Sequence, residues 1–515
     1  MILKDRLFTV VALFFAAGIA VGFVASPGGR TVCFLVLCAL SLAAAGLSAL
    51  VKRRFPDRKN ATVFVLTALL ALTVGTGWAH LREQPYAEKQ AFCGKQDVLV
   101  GTVTDSGSTA GSKWIAVRAE RSRIALPAGT GVRVLVSSPV RLLCGDRVTL
   151  DVKYGSLCDE SGRADRLALF ADGTLVSREY ADDLFGILRR KGVSVCEKLY
   201  APYGQQGLTE ALLFREKSAV GTDANEVYRG AGLSHLLAIS GLHLIILITF
   251  LRKILEKCGV SAWAGDLICV VASVAYAVLV GASPSVLRAV CMLSAVTVGT
   301  RLFKSVDGVS SLSVALTLLL IANPYALFSV GLQLSFLSCL GILLLEPYAE
   351  RLREHIIGEA SGRKKKLRGW VSAVAEHFLV SMGAVLFTFP VLAFTFSQVS
   401  WIAPLVNLLV VPLFPYVLTL VLLSVLVCPL WNGLGTVIAF LPGKALQGLQ
   451  AGLTFLHGNG VGSISLPEKA AVVPAIFCCA GLFGFAFLKK HRFRVVCTAG
   501  LLFVVSTVVL ALLPC

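Results

Sequence analysis

Charge is scarce in this chain, and acid scarcer still. Of 515 residues only 15% are charged, with 30 Asp and Glu against 48 Lys and Arg. A soluble domain carries about 25% charged residues, so an ordinary water-soluble enzyme is excluded. No Walker A sequence occurs, which excludes a built-in P-loop ATP motor. The seven histidines stand at 80, 235, 243, 355, 377, 457 and 491, and no His-x-His pair serves a dinuclear hydrolase. What is abundant is apolar sequence: 56% of residues, a mean hydropathy of +0.78, and runs of about 20 apolar residues repeated along the chain.

The net charge of +18 resolves by position. Residues 1–79 carry +6, residues 80–183 are neutral with 14 charges of each sign, and residues 184–515 carry +12. The excess falls in short links, Lys52–Lys59, Arg252–Lys257, Arg301–Lys304, Glu350–Arg368 and Lys489–Arg494. That is the positive-inside pattern of an inner (cytoplasmic) membrane protein, and it requires no nucleic acid.

The fold class expected is a polytopic α-helical membrane protein of about 11–13 spans with an external small β-barrel, OB-like in strand number and length. Four regions follow: an N-terminal three-span region over 1–79, the external β domain over 80–183, amphipathic surface helices over 184–232, and a multi-span domain over 233–515. Three early spans cover Leu7–Ala25, Thr31–Val51 and Ala61–Ala79, and later ones begin at Leu233, Ala262, Val286, Val309, Ala326, Val371, Ile402, Ala470 and Val495. Gly433–Leu456, broken by Pro442-Gly443, reads as either a span or an interfacial helix. A re-entrant Ile402–Val427, interrupted at Asn407, Pro412 and Pro415, would satisfy parity equally.

Strands are expected at Asp97–Thr104, Lys113–Ala119, Arg123–Leu126, Gly131–Ser137, Arg147–Lys153 and Thr174–Arg178. Such a barrel either binds a single strand or serves as a structural cap, and its neutral charge and few aromatics do not choose between them. In 184–200 the apolar residues Leu184, Leu188, Val195 and Leu199 share a face with Arg189 and Arg190 on others, which suits a helix on the outer membrane surface or a packing helix. Asp223 and Glu226 read as a capping box opening a helix into the Leu233 span. Most of the 15 cysteines lie in or against apolar spans as small hydrophobes. In an oxidising exterior Cys93 and Cys144 could form a disulfide, with Cys158 an alternative partner.

Polar groups within apolar spans carry the functional signal. The densest set is His235, Ser240 and His243. The two histidines are eight residues apart on one helical face, about 12 Å of rise, too far to chelate one metal. A Ser240–His243 nucleophilic pair lacks a supporting acid. Further candidates are Ser283, Ser285 and Arg288, then Gln333, Ser335 and Ser338, then Thr388 with Pro390, and Asn407. Arg288 stands out, because a guanidinium several residues into a span needs a partner or water. No catalytic residues, metal ligands or cofactors are expected.

His235-Leu-Leu-Ala-Ile-Ser-Gly-Leu-His243 resembles the core motif of the ComEC competence-protein family. The resemblance continues in order through Gly281-Ala-Ser-Pro-Ser-Val-Leu-Arg288, Asn323-Pro324, Gly331-Leu-Gln-Leu-Ser335-Phe, Phe389-Pro390, and Asn407 with Pro412. It implies a channel that passes single-stranded DNA into the cytoplasm during natural transformation. Its path would be lined by His235, Ser240, His243, Ser285, Arg288, Gln333, Ser335 and Asn407, surrounded by membrane lipid. Implied partners are an external DNA receptor and a cytoplasmic DNA translocase or ssDNA-binding proteins. Many members carry a C-terminal metallo-β-lactamase-like domain. This sequence ends at Cys515, just after its last apolar run, so the expected form is the one without that domain, with strand degradation left to a separate nuclease. The alternative is a transporter or flippase for a small polar or lipid-linked substrate. An intramembrane hydrolase using Ser240 and His243 is a third reading.

Overall fold

The computed structural model describes residues 7–24, 36–37, 67–79, 81, 92–109, 112–124, 126, 129–136, 142–155, 169–216, 219–237, 241–302, 307–357, 362–396, 398–400, 402–459 and 463–465. The expected spans at 31–51, 470–488 and 495–513 lie outside these residues, apart from positions 36–37, as does Cys158. Helix α1 (Leu7–Val24) and helix α2 (Thr67–Ala79) lie side by side at close range. A Cβ on Gly18 would collide with the Leu72 carbonyl, and one on Gly75 with that of Phe15. Without a hydrophobic effect to drive them together, helices in lipid associate through such small-residue contacts.

Five strands close a barrel in the order β1-β2-β3-β5-β4: β1 (Gln96–Thr109), β2 (Ser112–Ser122), β3 (Gly131–Val136), β4 (Arg147–Tyr154) and β5 (Leu169–Glu179). All neighbouring pairs are antiparallel except β3 with β5. Alternate residues of β3 and β4 point inward, joining Leu99, Val117 and Ala171 in one core. The expected strand at Arg123–Leu126 is instead a turn. Buried Asp97 draws the chain in there, accepting from Ser122 Oγ (2.5 Å) and the backbone N–H groups of Arg123 (2.7 Å) and Ile124 (3.3 Å). Tyr154 Oη also donates to Asp97 (2.8 Å), and burial together with that carboxylate pushes the phenol well above its usual range.

The Cys93–Cys144 disulfide is absent, and both residues are free thiols. β1 and β4 pair over seven residues from Gln96↔Lys153 to Thr102↔Arg147. Cys93 precedes the first pair and Cys144 the last, so the ladder holds them about 20 Å apart, against the 4.4–6.8 Å between Cα atoms that a disulfide needs.

Residues 184–232 pack onto the later helices. Helix α3 (Leu184–Tyr200), a 3-10 turn over Ala201–Tyr203, helix α4 (Gln206–Phe214) and helix α5 (Thr222–Gly230) share one apolar core with α13 (Ala403–Val427) and α14 (Asn432–Gly458). The buried stripe of α3 runs through Gly186, Arg189, Val193, Cys196, Leu199 and Tyr200, leaving Leu184 and Leu188 exposed. Of the expected apolar face, Leu199 lies in this stripe. A stripe chosen by hydrophobicity leaves out Arg189, which is 4% exposed. The capping box is also not formed, since α5 begins at Thr222 with Gly221 at its N-cap, two positions before Asp223.

The expected span at Leu233 holds α6 (Ser234–Leu237) and α7 (Gly241–Lys257), with residues 238–240 between them outside the described residues. There follow α8 (Ala262–Leu279), α9 (Pro284–Leu302), α10 (Gly308–Ala322), a 3-10 turn over Pro324–Phe328, α11 (Val330–Ile357) and α12 (Gly362–Phe396). Both doubtful segments are continuous helices, α13 through Pro412 and Pro415, and α14 through Pro442-Gly443. A short strand pair, β6 (Gln398–Ser400) with β7 (Ser463–Ser465), brings the end of α12 beside the end of α14. Among the described residues four stretches are long and apolar enough to cross a membrane: Ala262–Leu279, Val330–Ile356, Val371–Leu392 and Leu405–Val427. Val11–Gly22, Thr67–Ala79 and Gly308–Ala322 are apolar but shorter.

Side-by-side contacts fix relative directions. α1 runs parallel to α2, with Gly18 facing Leu72 and Gly22 facing Ala79. It also runs parallel to α10, because Ser313 Oγ donates to Thr9 Oγ1 (3.1 Å) while Leu320 shares a core with Ile19. α7 runs parallel to α13, with Gly232 against Ala403 and His243 against Phe414. α11 and α12 run antiparallel, meeting at Gly341 with Gly383 and again at Arg353 with Glu376.

Candidate functional site

The turn between α8 and α9 is built by local chemistry. Gly281 (φ +78°) and Ala282 (φ +52°) close α8, their N–H groups donating to the carbonyls of Val278 (3.2 Å) and Ala277 (2.7 Å). Ser283 Oγ then accepts from the Val286 N–H (3.4 Å), with Pro284 in the first turn of α9. The sequence Gly281-Ala-Ser-Pro-Ser is thus a helix stop followed by a helix start. It launches α9 with Arg288 one turn in.

Arg288 sits where α7, α9 and α11 meet. Its Nη1 donates to the Ser335 carbonyl (2.5 Å), and its guanidinium lies over the Phe336 ring at 5.9 Å. Nη2 approaches Gly241 so closely that a Cβ there would lie 3.1 Å from it. Nε is buried without an acceptor among the described residues. A planar cation with five donors is thereby held by one carbonyl and one aromatic face.

On the other side of α7, His243 is 4% exposed and meets the Phe414 ring edge-on at 5.8 Å. Asn407, two turns before Phe414 on α13, is 8% exposed, and its Oδ1 has no hydrogen-bond donor among the described residues. The structure therefore places Arg288 with Ser335, and His243 with α13, on opposite flanks of α7's first turn. His235 is on α6 and His243 on α7, with residues 238–240 between them outside the described residues. Ser240 lies outside the described residues. Gln333 Nε2 donates to the Leu327 carbonyl (2.9 Å) and Asn323 Oδ1 accepts from the Tyr325 N–H (3.1 Å), so both brace the 3-10 turn before α11. Ser338 and Thr388 bond back to carbonyls of their own helices, and Ser285 borders Gly241 through its carbonyl.

Two ionic features escaped the sequence reading. Asp266 on α8 accepts from Arg252 Nη2 (3.0 Å) of α7 and from Arg301 Nη2 (2.5 Å) of α9, tying three helix ends together. The signal was an acid inside an apolar run. The second lies between barrel and helices, where Arg189, Arg215, Asp105 and Glu216 converge around Cys144. Burial and the neighbouring Glu216 push the Cys144 thiol well above its ordinary range. Separately, a cavity of about 390 Å³ on the barrel is lined by Asp151, Asp172 and Lys153.

A family model described as Competence protein matches residues 212–491, from the end of α4 past α14. The chain belongs to the Competence protein family. This match takes in Arg288, His243 and Asn407 and leaves the barrel outside it. Among its relatives, ComE operon protein 3 of Bacillus subtilis (strain 168) is 28% identical over 229 residues, 44% of this chain and 27% of that protein. Competence protein ComA of Neisseria gonorrhoeae is 30% identical over 246 residues, 46% of this chain and 31% of that protein. An uncharacterized protein of Aquifex aeolicus (strain VF5) is 28% identical over 247 residues, 48% and 51% of the two chains. The aligned region thus spans about a third or less of the two named competence relatives. No solved structure matches the chain.

Proposed function

We propose that this protein is a multi-pass channel of the cytoplasmic membrane that passes single-stranded DNA inward during natural transformation. Its partners would be an external DNA receptor, a cytoplasmic translocase or ssDNA-binding proteins, and a separate nuclease. The observation that carries the reading is Arg288, a buried guanidinium with unspent donors, on a helix inside the region matched to the Competence protein family.

A phosphodiester strand cannot cross hydrocarbon, so it needs a hydrated path with donors for phosphate oxygens. One fixed cation with neutral polar neighbours attracts phosphate without trapping it, and His243 and Asn407 add polar groups across α7. The barrel is OB-like on this reading and sits outside the membrane. Its acidic cavity repels phosphate, which favours a structural or gating role for the barrel over strand binding at that cavity. The protein itself performs no hydrolysis, and the cytoplasmic partner supplies the driving force.

The test follows fluorescent DNA into a gene-deletion strain. DNA should collect at the surface and fail to reach the cytoplasm, with uptake restored by the gene supplied in trans. Undiminished uptake in the deletion strain would overturn the reading in favour of a transporter for some other substrate.

A further inference from the structure

The barrel touches the helices through a small buried ionic junction with a regular construction. Arg189 of α3 donates through Nη1 to the Cys144 carbonyl, at the foot of β4, and through Nη2 to the Leu279 carbonyl, at the end of α8. Arg215, just past α4, donates through Nη2 to Asp105 of β1 (2.5 Å) and through Nη1 to the Gly281 carbonyl (3.1 Å). Each guanidinium thus holds one acceptor on the barrel and one on the α8–α9 turn. Lysine, with a single ammonium, cannot span two acceptors with the same fixed fork.

The surroundings fit two bridges rather than incidental contacts. Glu216 is fully buried and accepts from the Cys144 N–H (3.3 Å), so two arginines face two carboxylates with no net charge. A Cβ on Gly145 would lie 3.2 Å from Arg189 Nη1, and one on Gly281 would lie 3.1 Å from the Thr104 carbonyl. The two non-glycine residues with positive φ among the described residues are Arg215 (+64°) and Ala282 (+52°), and both stand at this junction. Such strain persists where surrounding contacts hold it, and it clusters at clamps and switches.

The α8–α9 turn launches α9, and Arg288 is one turn further on. We infer that Arg189 and Arg215 are positioning residues that fix α9, and with it Arg288, against the barrel, so that the barrel's seat sets the geometry of the conduction path. The part concerning transport rests on the channel reading, whereas the part concerning helix position does not.

The experiment uses the full-length protein in membranes and three readouts: DNA uptake, Cys144 labelling by maleimide read by mass spectrometry, and a crosslink between α7 and α9. Cys144 is a native reporter, since its thiol is buried in the junction and donates to the Thr104 carbonyl (3.5 Å). The crosslink uses Gly241→Cys with Ala289→Cys, because a Cβ on Gly241 would lie 3.2 Å from that of Ala289, close to disulfide spacing.

In Arg189→Ala and in Arg215→Ala, Cys144 should label about tenfold faster, crosslink yield should fall by roughly half or more, and uptake should fall about tenfold with surface capture intact. Arg215→Lys keeps a cation for Asp105 but not the second bond, so it should protect Cys144 while crosslink and uptake stay lowered. Full rescue by lysine, or an unchanged crosslink once Cys144 is exposed, would overturn the inference. If gene deletion leaves uptake intact, the channel reading falls, and the labelling and crosslink readouts still decide whether these arginines place α9.

Discussion

At the scale of single residues, buried polar groups divide into those that spend their hydrogen bonds on the fold and those that do not. Gln333, Asn323 and Thr388 are spent on nearby carbonyls or turns. Arg288 and Asn407 each keep an unmatched polar atom. Arg288→Ala should therefore lower DNA internalisation roughly tenfold, a barrier change of about 1.4 kcal/mol, while DNA capture at the surface stays normal. Unchanged uptake in cells that make normal amounts of the variant would confine Arg288 to a packing role. This residue was legible in the sequence because depth alone makes a guanidinium conspicuous. Arg189 was not, because its acceptors are carbonyls 45 and 90 positions away and nothing in the local pattern encodes them. The same blindness produced the mistaken Cys93–Cys144 pairing, since strand register, and not spacing, decides which ends of a ladder two cysteines occupy.

At the scale of elements, helix positions were readable from apolar runs and helix ends from turn residues. Proline left two segments with two readings each. Pro412 and Pro415 in α13 and Pro442 in α14 leave their helices continuous, as neighbouring helices and local adjustment allow. Helix pairing depends on glycine: a side chain at Gly341 would meet the Gly383 backbone. Gly341→Val should separate α11 from α12 and destabilise the protein by roughly 1–3 kcal/mol, measured as lower thermal stability in detergent; an unaltered melting temperature would count against that contact. Asp266 holds the ends of α7 and α9 together, yet Arg252 and Arg301 are half exposed. Asp266→Asn is accordingly expected to cost only about 1 kcal/mol, and raised salt should shrink the difference between variant and parent.

At the scale of the whole molecule, charge and packing agree on which helix ends lie on the same side. The positive links assign inward and outward ends, and the parallel pairs α1 with α2, α1 with α10 and α7 with α13 agree with that assignment. A reporter active only in the cytoplasm should work when fused near Gly362 and fail near Gly129, and the reverse pattern would overturn the topology. Tyr154, Tyr200 and Tyr228 are each held neutral by burial, their pKa values raised. In the unfolded chain tyrosine ionises near pH 10, so their contribution is complete below that pH and lost as pH rises beyond it; unfolding followed from pH 8 to 11 should show stability falling only at the upper end. The contact between Thr9 and Ser313 carries a further consequence, which concerns time. The two residues are 304 positions apart, and at about 5–20 residues per second a ribosome needs roughly 15–60 s to make the second after the first. Throughout that interval α1 has α2 to pack against but not α10, so the close contact at Gly18 and Gly75 must hold by itself. Gly18→Val should therefore lower the yield of intact protein, and slowed elongation should deepen that loss.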